Sequence, residues 1–437
     1  MDIPILATLG DSHVGGMHNG VTSVAFHPTA NPPLLATGSR DKTVTMWLLS
    51  SDNTSAACVA TLVGHSDCVT SVAFHPTANQ PLLASSSRDK TVKLWRHLSP
   101  DNTSCVATLE GHVGHVNSVA FHPTEPLLAT GSSDSTVKLW LMSSDNSSAV
   151  CVATLEGHSR AVNSVAFHPT APLLATGSGD ATVKLWRISD KSATCVGGLS
   201  LLASPGNSDH TRAVTSVAFH PTAPLLATGS ADHTVRLWRL SDNMSDNKCV
   251  AILNKRKMGH VNHVTSVAFH PTAPILVTGS WDKTVKMWLL SKDNSSVTYV
   301  ETLVHSGHVT SVAFHPTAPL LATGSGDSIT KVWDCMQLTD PWQRMHGMRA
   351  FGAMRNFLIT KLGTDPSVHP VSQQLALENY SKRLSDATAT NSLKLGPVAD
   401  RLHSLQEFHQ NKRTKYDGGS RRRKIKAKPK SVKRKRK

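Results

Sequence analysis

The sequence predicts an all-β chain: a seven-bladed β-propeller of four-stranded antiparallel blades, closed by the N-terminal strand, with a short helical C-terminal extension. Three observations carry this. The phrase Ser-Val-Ala-Phe-His-Pro-Thr begins at Ser23 and returns unchanged at Ser71, Ser118, Ser164, Ser216, Ser266 and Ser311. Its Phe residues recur every 45 to 52 residues, and a fixed period of that size marks a propeller or a solenoid. Each copy then runs through a Pro-Leu-Leu-Ala-Thr-Gly-Ser-like stretch, an Asp, and a Thr-Val-Lys-Leu-Trp-like stretch.

The second repeat justifies each strand in turn. Val69 to Phe74 alternates apolar and polar side chains until His75-Pro76 stops it; proline has no N–H for a ladder and suits a turn. Pro81 to Ser85 is the second strand, and Ser87 to Lys90 turns the chain. Thr91 to Trp95 is the third, with the two-residue period of a half-buried strand. A Ser/Asp/Asn-rich loop follows, and Cys105 to Leu109 is the fourth. Such a fourth strand follows the first six closing Trp residues but not Trp333. Ile5-Leu6-Ala7-Thr8-Leu9 matches Val59 to Leu62, so the N-terminal segment is expected to complete the last blade. Closure of this kind removes a sticky sheet edge.

An Asp stands six residues before each closing Trp, and a Thr or Ser four residues before each Asp. A Gly-His pair leads four of the repeats, at Gly64-His65, Gly111-His112, Gly157-His158 and Gly259-His260. Over roughly residues 3–335 these residues resemble the WD-repeat family. That resemblance implies a structural hydrogen-bond network in each blade. It consists of His65, Ser85, Asp89 and Trp95 in the second, and His158, Thr176, Asp180 and Trp186 in the fourth. Departures are Asp209-His210, Val304-His305 and Met17 at the His position of repeat one. Blade one is accordingly expected to be the loosest. The set superficially resembles a nucleophilic triad, but catalysis needs one constellation in one cleft, and this one recurs. No enzymatic activity, cofactor or metal is expected. The i,i+3 pairs His112/His115, His260/His263 and His305/His308 have no Cys or acidic companion at ligand spacing.

The formal net charge of +15 is unevenly spread. Residues 412–437 hold fifteen Lys or Arg and one Asp, net +14, which leaves a near-neutral remainder. The expected division is a propeller over 1–335, a helical extension over 336–411, and a disordered basic tail over 412–437. In the extension, Asp340-Pro341 reads as a helix start. In the tail, Arg421, Arg422, Arg423, Lys424, Lys433, Arg434, Lys435, Arg436 and Lys437 form two clusters that fit nuclear targeting or phosphate contact. Five of the seven Cys recur before a Val in successive repeats, which reads as small apolar strand residues rather than disulfide partners. No signal peptide or membrane span is recognisable. The expected location is intracellular, in the nucleus or nucleolus, with the cytoplasm as alternative.

Identical units cannot distinguish partners, so specificity belongs where repeats differ. Two positions per blade face one rim: the residue before the Asp, and the residue before the first strand's Val. They place Arg40, Arg88, Trp281, His115, His263 and His308 on an arc from blade six to blade three. Lys255, Arg256 and Lys257 lie in an insertion entering blade six on that side. Trp beside cations is typical of interface anchors, and the expected partner is a protein acidic at the contact. The expected function is a non-catalytic interaction scaffold. The alternative is a nucleic-acid-associated assembly factor, of ribosome-biogenesis or chromatin type, whose tail holds RNA or DNA. The sequence leaves oligomeric state open.

Overall fold

The structure is a computed structural model that describes residues 3–335, apart from 11–19, 78–80, 100–101, 190–191, 199–208, 243 and 245. The helical extension and the basic tail therefore lie outside the described residues, as does Met17. Twenty-eight described strands form seven four-stranded antiparallel sheets. Blade one comprises Val21–Phe26, Leu34–Ser39, Thr43–Leu49 and Ala56–Val63. Blades two to six repeat that order, and the first strands of neighbouring blades touch in an unbroken circle. Every residue of each second strand is buried, which is why these stretches read as runs of Leu, Ala, Thr and Ser rather than as alternations.

Blade seven is built as expected from both ends of the repeat region. Val309–Phe314, Leu320–Ser325 and Thr330–Asp334 are joined by Ile5–Leu9 as the outer strand. Ile5 pairs with Trp333 and Leu9 with Thr330, and the Asp334 amide donates to the Pro4 carbonyl at 3.0 Å. Ile3, Ala7 and Leu9 are buried against the cores on either side.

The invariant phrase is the joint between blades. Its His packs against the Phe of the next blade, edge-on in six pairs and tilted in His75–Phe121, with ring centroids 4.8–5.1 Å apart, from His27–Phe74 round to His315–Phe26. The same ring's Nδ1 accepts amides that close the His-Pro turn, as His27 does from Thr29 and Ala30. The Ser23 hydroxyl accepts the Val72 amide one blade on, and the Ser311 hydroxyl accepts the Val24 amide across the closure, both at 3.1 Å. A Thr or Asn just ahead of the phrase donates to the next blade's Val carbonyl, from Thr22 to Val69 at 2.7 Å round to Thr310 to Val21 at 2.7 Å. Each repeated side chain is thus occupied by the neighbouring blade. The glycine of the second strand belongs to the same joint: a Cβ on Gly177 would sit 2.7 Å from Val214 Cγ1.

The third and fourth strands shift register at the closing Trp, which lies opposite Cys in blades one to five. Cys58, Cys105, Cys151 and Cys195 are exposed there. They are edge-strand residues facing outward, not core residues, because the outer strand has a neighbour on one side only.

Candidate protein-interaction face

The network implied by the repeats is present in blade two. Trp95 Nε1 donates to Ser85 Oγ at 2.7 Å, the Ser85 hydroxyl meets His65 Nε2 at 2.7 Å, and His65 Nδ1 meets the Asp89 carboxylate at 2.7 Å. Blade four matches it with Trp186, Thr176, His158 and Asp180 at 2.9, 2.8 and 2.9 Å. The relay uses every polar atom only while the imidazole is neutral, with Nδ1–H aimed at the carboxylate. Burial lowers the pKa of His65 and His158, and the Asp partner offsets only part of that. Burial acts to raise Asp180, but bonds from Thr182, Ser159 and His158 outweigh it and hold the carboxyl at about 2. These groups pin the turn that carries the rim. Asp209-His210 departs from the pair without harm, since His210 meets Asp232 and Thr228 at 2.8 and 2.7 Å.

Each network positions one rim pair. The amide of the residue before the Asp donates to the carbonyl of the residue before the first-strand Val, from Arg40 to Gly20 at 3.2 Å to Trp281 to His263 at 2.9 Å and Gly326 to His308 at 2.8 Å. The two positions read from the sequence therefore form one ring on one face. Neighbouring blades are linked on it as well: His115 Nδ1 donates to the Arg88 carbonyl at 2.6 Å, and His308 Nδ1 to the Trp281 carbonyl at 2.5 Å.

The most distinctive stretch spans blades five to seven. His263 stacks on Trp281 with centroids 4.6 Å apart and planes at 27°. His308 lies 5.6 Å from Trp281 on blade seven, and His233 lies 5.6 Å from His263 on blade five. Trp281 remains 42% exposed; Met258 and Val261 in the loop entering blade six are exposed as well, and the Val261 amide donates to Asp282, the residue after Trp281. Lys255 and Arg256 are exposed in a short 3-10 turn capped by the Asn254 side chain. The side chain of Lys257 lies outside the described set. Arg40, Arg88 and His115 are exposed on blades one to three.

Blades four and five are less plain than the two rim positions suggest. Arg160 and Arg212, one residue before each second position, are exposed and flank a groove floored by Gly179, Ala181, Ala213 and Ala231. His233 was missed because it follows the Asp, where a left-handed backbone (φ 70°) lifts the side chain to the rim. Burial lowers the pKa of His263, and the charges of His233 and Arg212 add to the effect. Among the described residues, no three His, Cys, Asp or Glu side chains converge as a metal ion would require. None of the described helices is long and apolar enough to cross a membrane. The Ser/Asp/Asn loops on the opposite face are self-bonded turns: Ser50 Oγ donates to Asp52 at 2.6 Å, and the Ser50 amide donates to the Ser55 carbonyl at 2.9 Å.

A closed ring of blades, pinned in blades two to six by the complete internal relay and presenting a different rim turn on each blade, defines a repeat-built interaction propeller. The family model described as WD domain, G-beta repeat matches seven segments: 11–47, 56–96, 103–140, 149–187, 203–239, 247–288 and 298–334. The chain belongs to that family, whose propellers typically bind other proteins and are generally non-catalytic scaffolds. No curated protein matches the chain.

Proposed function

We propose that this protein is a non-catalytic scaffold that holds a protein partner on the arc from blade six through seven, one and two to blade three. The partner presents an acidic segment there. The observation that carries this reading is the ring stack His263–Trp281–His308, with Trp281 exposed, together with the exposed Lys255, Arg256, Met258 and Val261 of the loop entering blade six, which the Val261 amide ties to the Trp281-Asp282 turn. An aromatic anchor beside cations fits an interface centre, and the cations favour carboxylates. Arg40, Arg88 and His115 continue the positive rim, and Arg160 and Arg212 extend it to blades four and five. The decisive comparison is proximity labelling of the intact chain and of Trp281→Ala combined with Lys255→Gln and Arg256→Gln. The triple variant is expected to lose its main neighbours, and an unchanged set would overturn the proposal.

The basic clusters 421–424 and 433–437 support a nuclear or nucleolar location for the scaffold. Removal of 412–437 is expected to leave the chain in the cytoplasm with its rim partner still bound. The fifteen basic residues of that segment favour a second reading, in which the tail grips RNA or DNA phosphates. If about six charges engage duplex DNA, log affinity falls against log salt with a slope near −5. Loss of nucleic-acid crosslinks on tail removal supports that reading, and unchanged crosslinks reject it.

A further inference from the structure

We propose that blade seven is the seam of the ring, the blade whose outer strand and rim turn open first, because two adjacent residues stand there in exchanged roles. In each other blade a Thr stands two places after the turn Asp and a Val follows it: Thr43-Val44, Thr91-Val92, Thr136-Val137, Thr182-Val183, Thr234-Val235 and Thr284-Val285. Those hydroxyls donate to their Asp at 2.5–2.7 Å. The Val side chains are 0–1% exposed in the core. Blade seven instead has Ile329-Thr330. The branched hydrocarbon and the hydroxyl have changed places.

The consequences follow from donor and acceptor counting. The Ile329 amide still donates to Asp327 Oδ1 at 3.2 Å, but its side chain has no hydroxyl to add the second bond, and the carboxylate takes the Ser306 hydroxyl instead. His305 keeps its Nε2 contact to Thr323 at 2.8 Å, but its buried Nδ1 has no partner. Thr330 is 2% exposed in the Val position, and its Oγ1 also has no partner. Five buried side-chain polar atoms lack a partner among the described residues, and His305 Nδ1, His315 Nε2 and Thr330 Oγ1 put three of them in blade seven. A buried polar group without its bond weakens the fold where it sits.

These defects fall on the one blade whose outer strand is not continuous with its third. Leu9 pairs with Thr330 itself, and Ile5–Leu9 has five residues against seven or eight in blades one, two, three, four and six. Exchanging Thr-Val for Ile-Thr roughly conserves volume, so the ring closes while local opening becomes easier. His308 rides on the same turn and bonds to Trp281 O at 2.5 Å, so opening carries one ring of the stack away from the rim.

Amide hydrogen exchange on the full chain, read by mass spectrometry, tests this. Peptides covering 5–9 and 304–334 are expected to exchange faster than the matching strands of blades three and four. Ile329→Thr with Thr330→Val is expected to slow them on the order of tenfold, as restored bonds would, and to raise the unfolding midpoint. The converse pair, Thr182→Ile with Val183→Thr, is expected to create a second fast-exchanging blade at blade four. Blade seven protected like its neighbours in the unaltered chain, or fast exchange that persists in the repaired one, would sink the idea. The measurement on the unaltered chain stands even if a variant fails to fold.

Discussion

The inner wall of the ring and its rim obey opposite rules. At the wall, each residue of Ser-Val-Ala-Phe-His-Pro-Thr that makes a joint meets the same atom of the next blade, so one solution serves seven times. At the rim, the backbone bond is constant while the side chain changes from Arg40 and Arg88 to Trp281 and Gly326. Repetition therefore carries stability, and departure from it carries recognition. Blade seven crosses the rule, because its departure at Ile329 and Thr330 lies inside the wall's supporting network.

The comparison is tested most severely by removing residues 1–10. Loss of buried Ile3, Ala7 and Leu9 and of the outer strand should cost about 4 kcal/mol or more. Equal denaturation midpoints for the two chains would contradict the closure. Acid should act on the whole wall at once. Burial holds His27, His75, His122, His168, His220, His270 and His315 below the ordinary imidazole value. His305 is held at about 4, by burial first and the Lys331 charge second, with Asp327 opposing. The unfolded chain thus takes up more protons than the fold as pH falls. Stability should be complete above about 6.5 and decline from there towards these folded values. Thermal melts across that range check it, and a midpoint flat down to about pH 5 would be the contrary result.

Single substitutions sharpen the contrast. Ser85→Ala strands Trp95 Nε1 and His65 Nε2 and should cost about 2–3 kcal/mol in a denaturant titration. Gly177→Ala drives a methyl against Val214 and should cost about 1–3 kcal/mol. Gly10→Ala meets nothing within 4 Å and serves as its control. Trp281→Ala should change stability by less than about 0.5 kcal/mol while removing the partner. A large loss of stability there would make Trp281 a structural residue.

Much of this was legible in the chain. The period, the turn Asp and the closing Trp set blade count, strand order and closure, because each strand is short and bounded by its own turn. The rim followed from two positions per repeat, but Arg160, Arg212 and His233 lie one place outside them, and only backbone geometry brings them to the same face. Blade one was expected to be loosest on the strength of Met17, which lies outside the described residues. Among the described residues, two unpartnered buried atoms, Thr45 Oγ1 and Asn53 Oδ1, are in blade one, and three are in blade seven, where the Ile329-Thr330 exchange lies. That exchange is not legible in the repeat pattern, because a Thr two places after the Asp looks like any strand residue until its hydroxyl is seen to bond the carboxylate, and Ile329 keeps only the amide bond.

Cys335 gives the closed ring a built-in reporter. Its thiol is fully buried near Ile3 at the closure, with a pKa pushed up to about 12 by burial and the Asp334 charge, while Cys58, Cys105, Cys151 and Cys195 stand in solvent. An alkylating reagent should consume the outer four at once and reach Cys335 only in molecules whose last sheet has parted. The lag between the two labels then times that parting directly, with no residue changed.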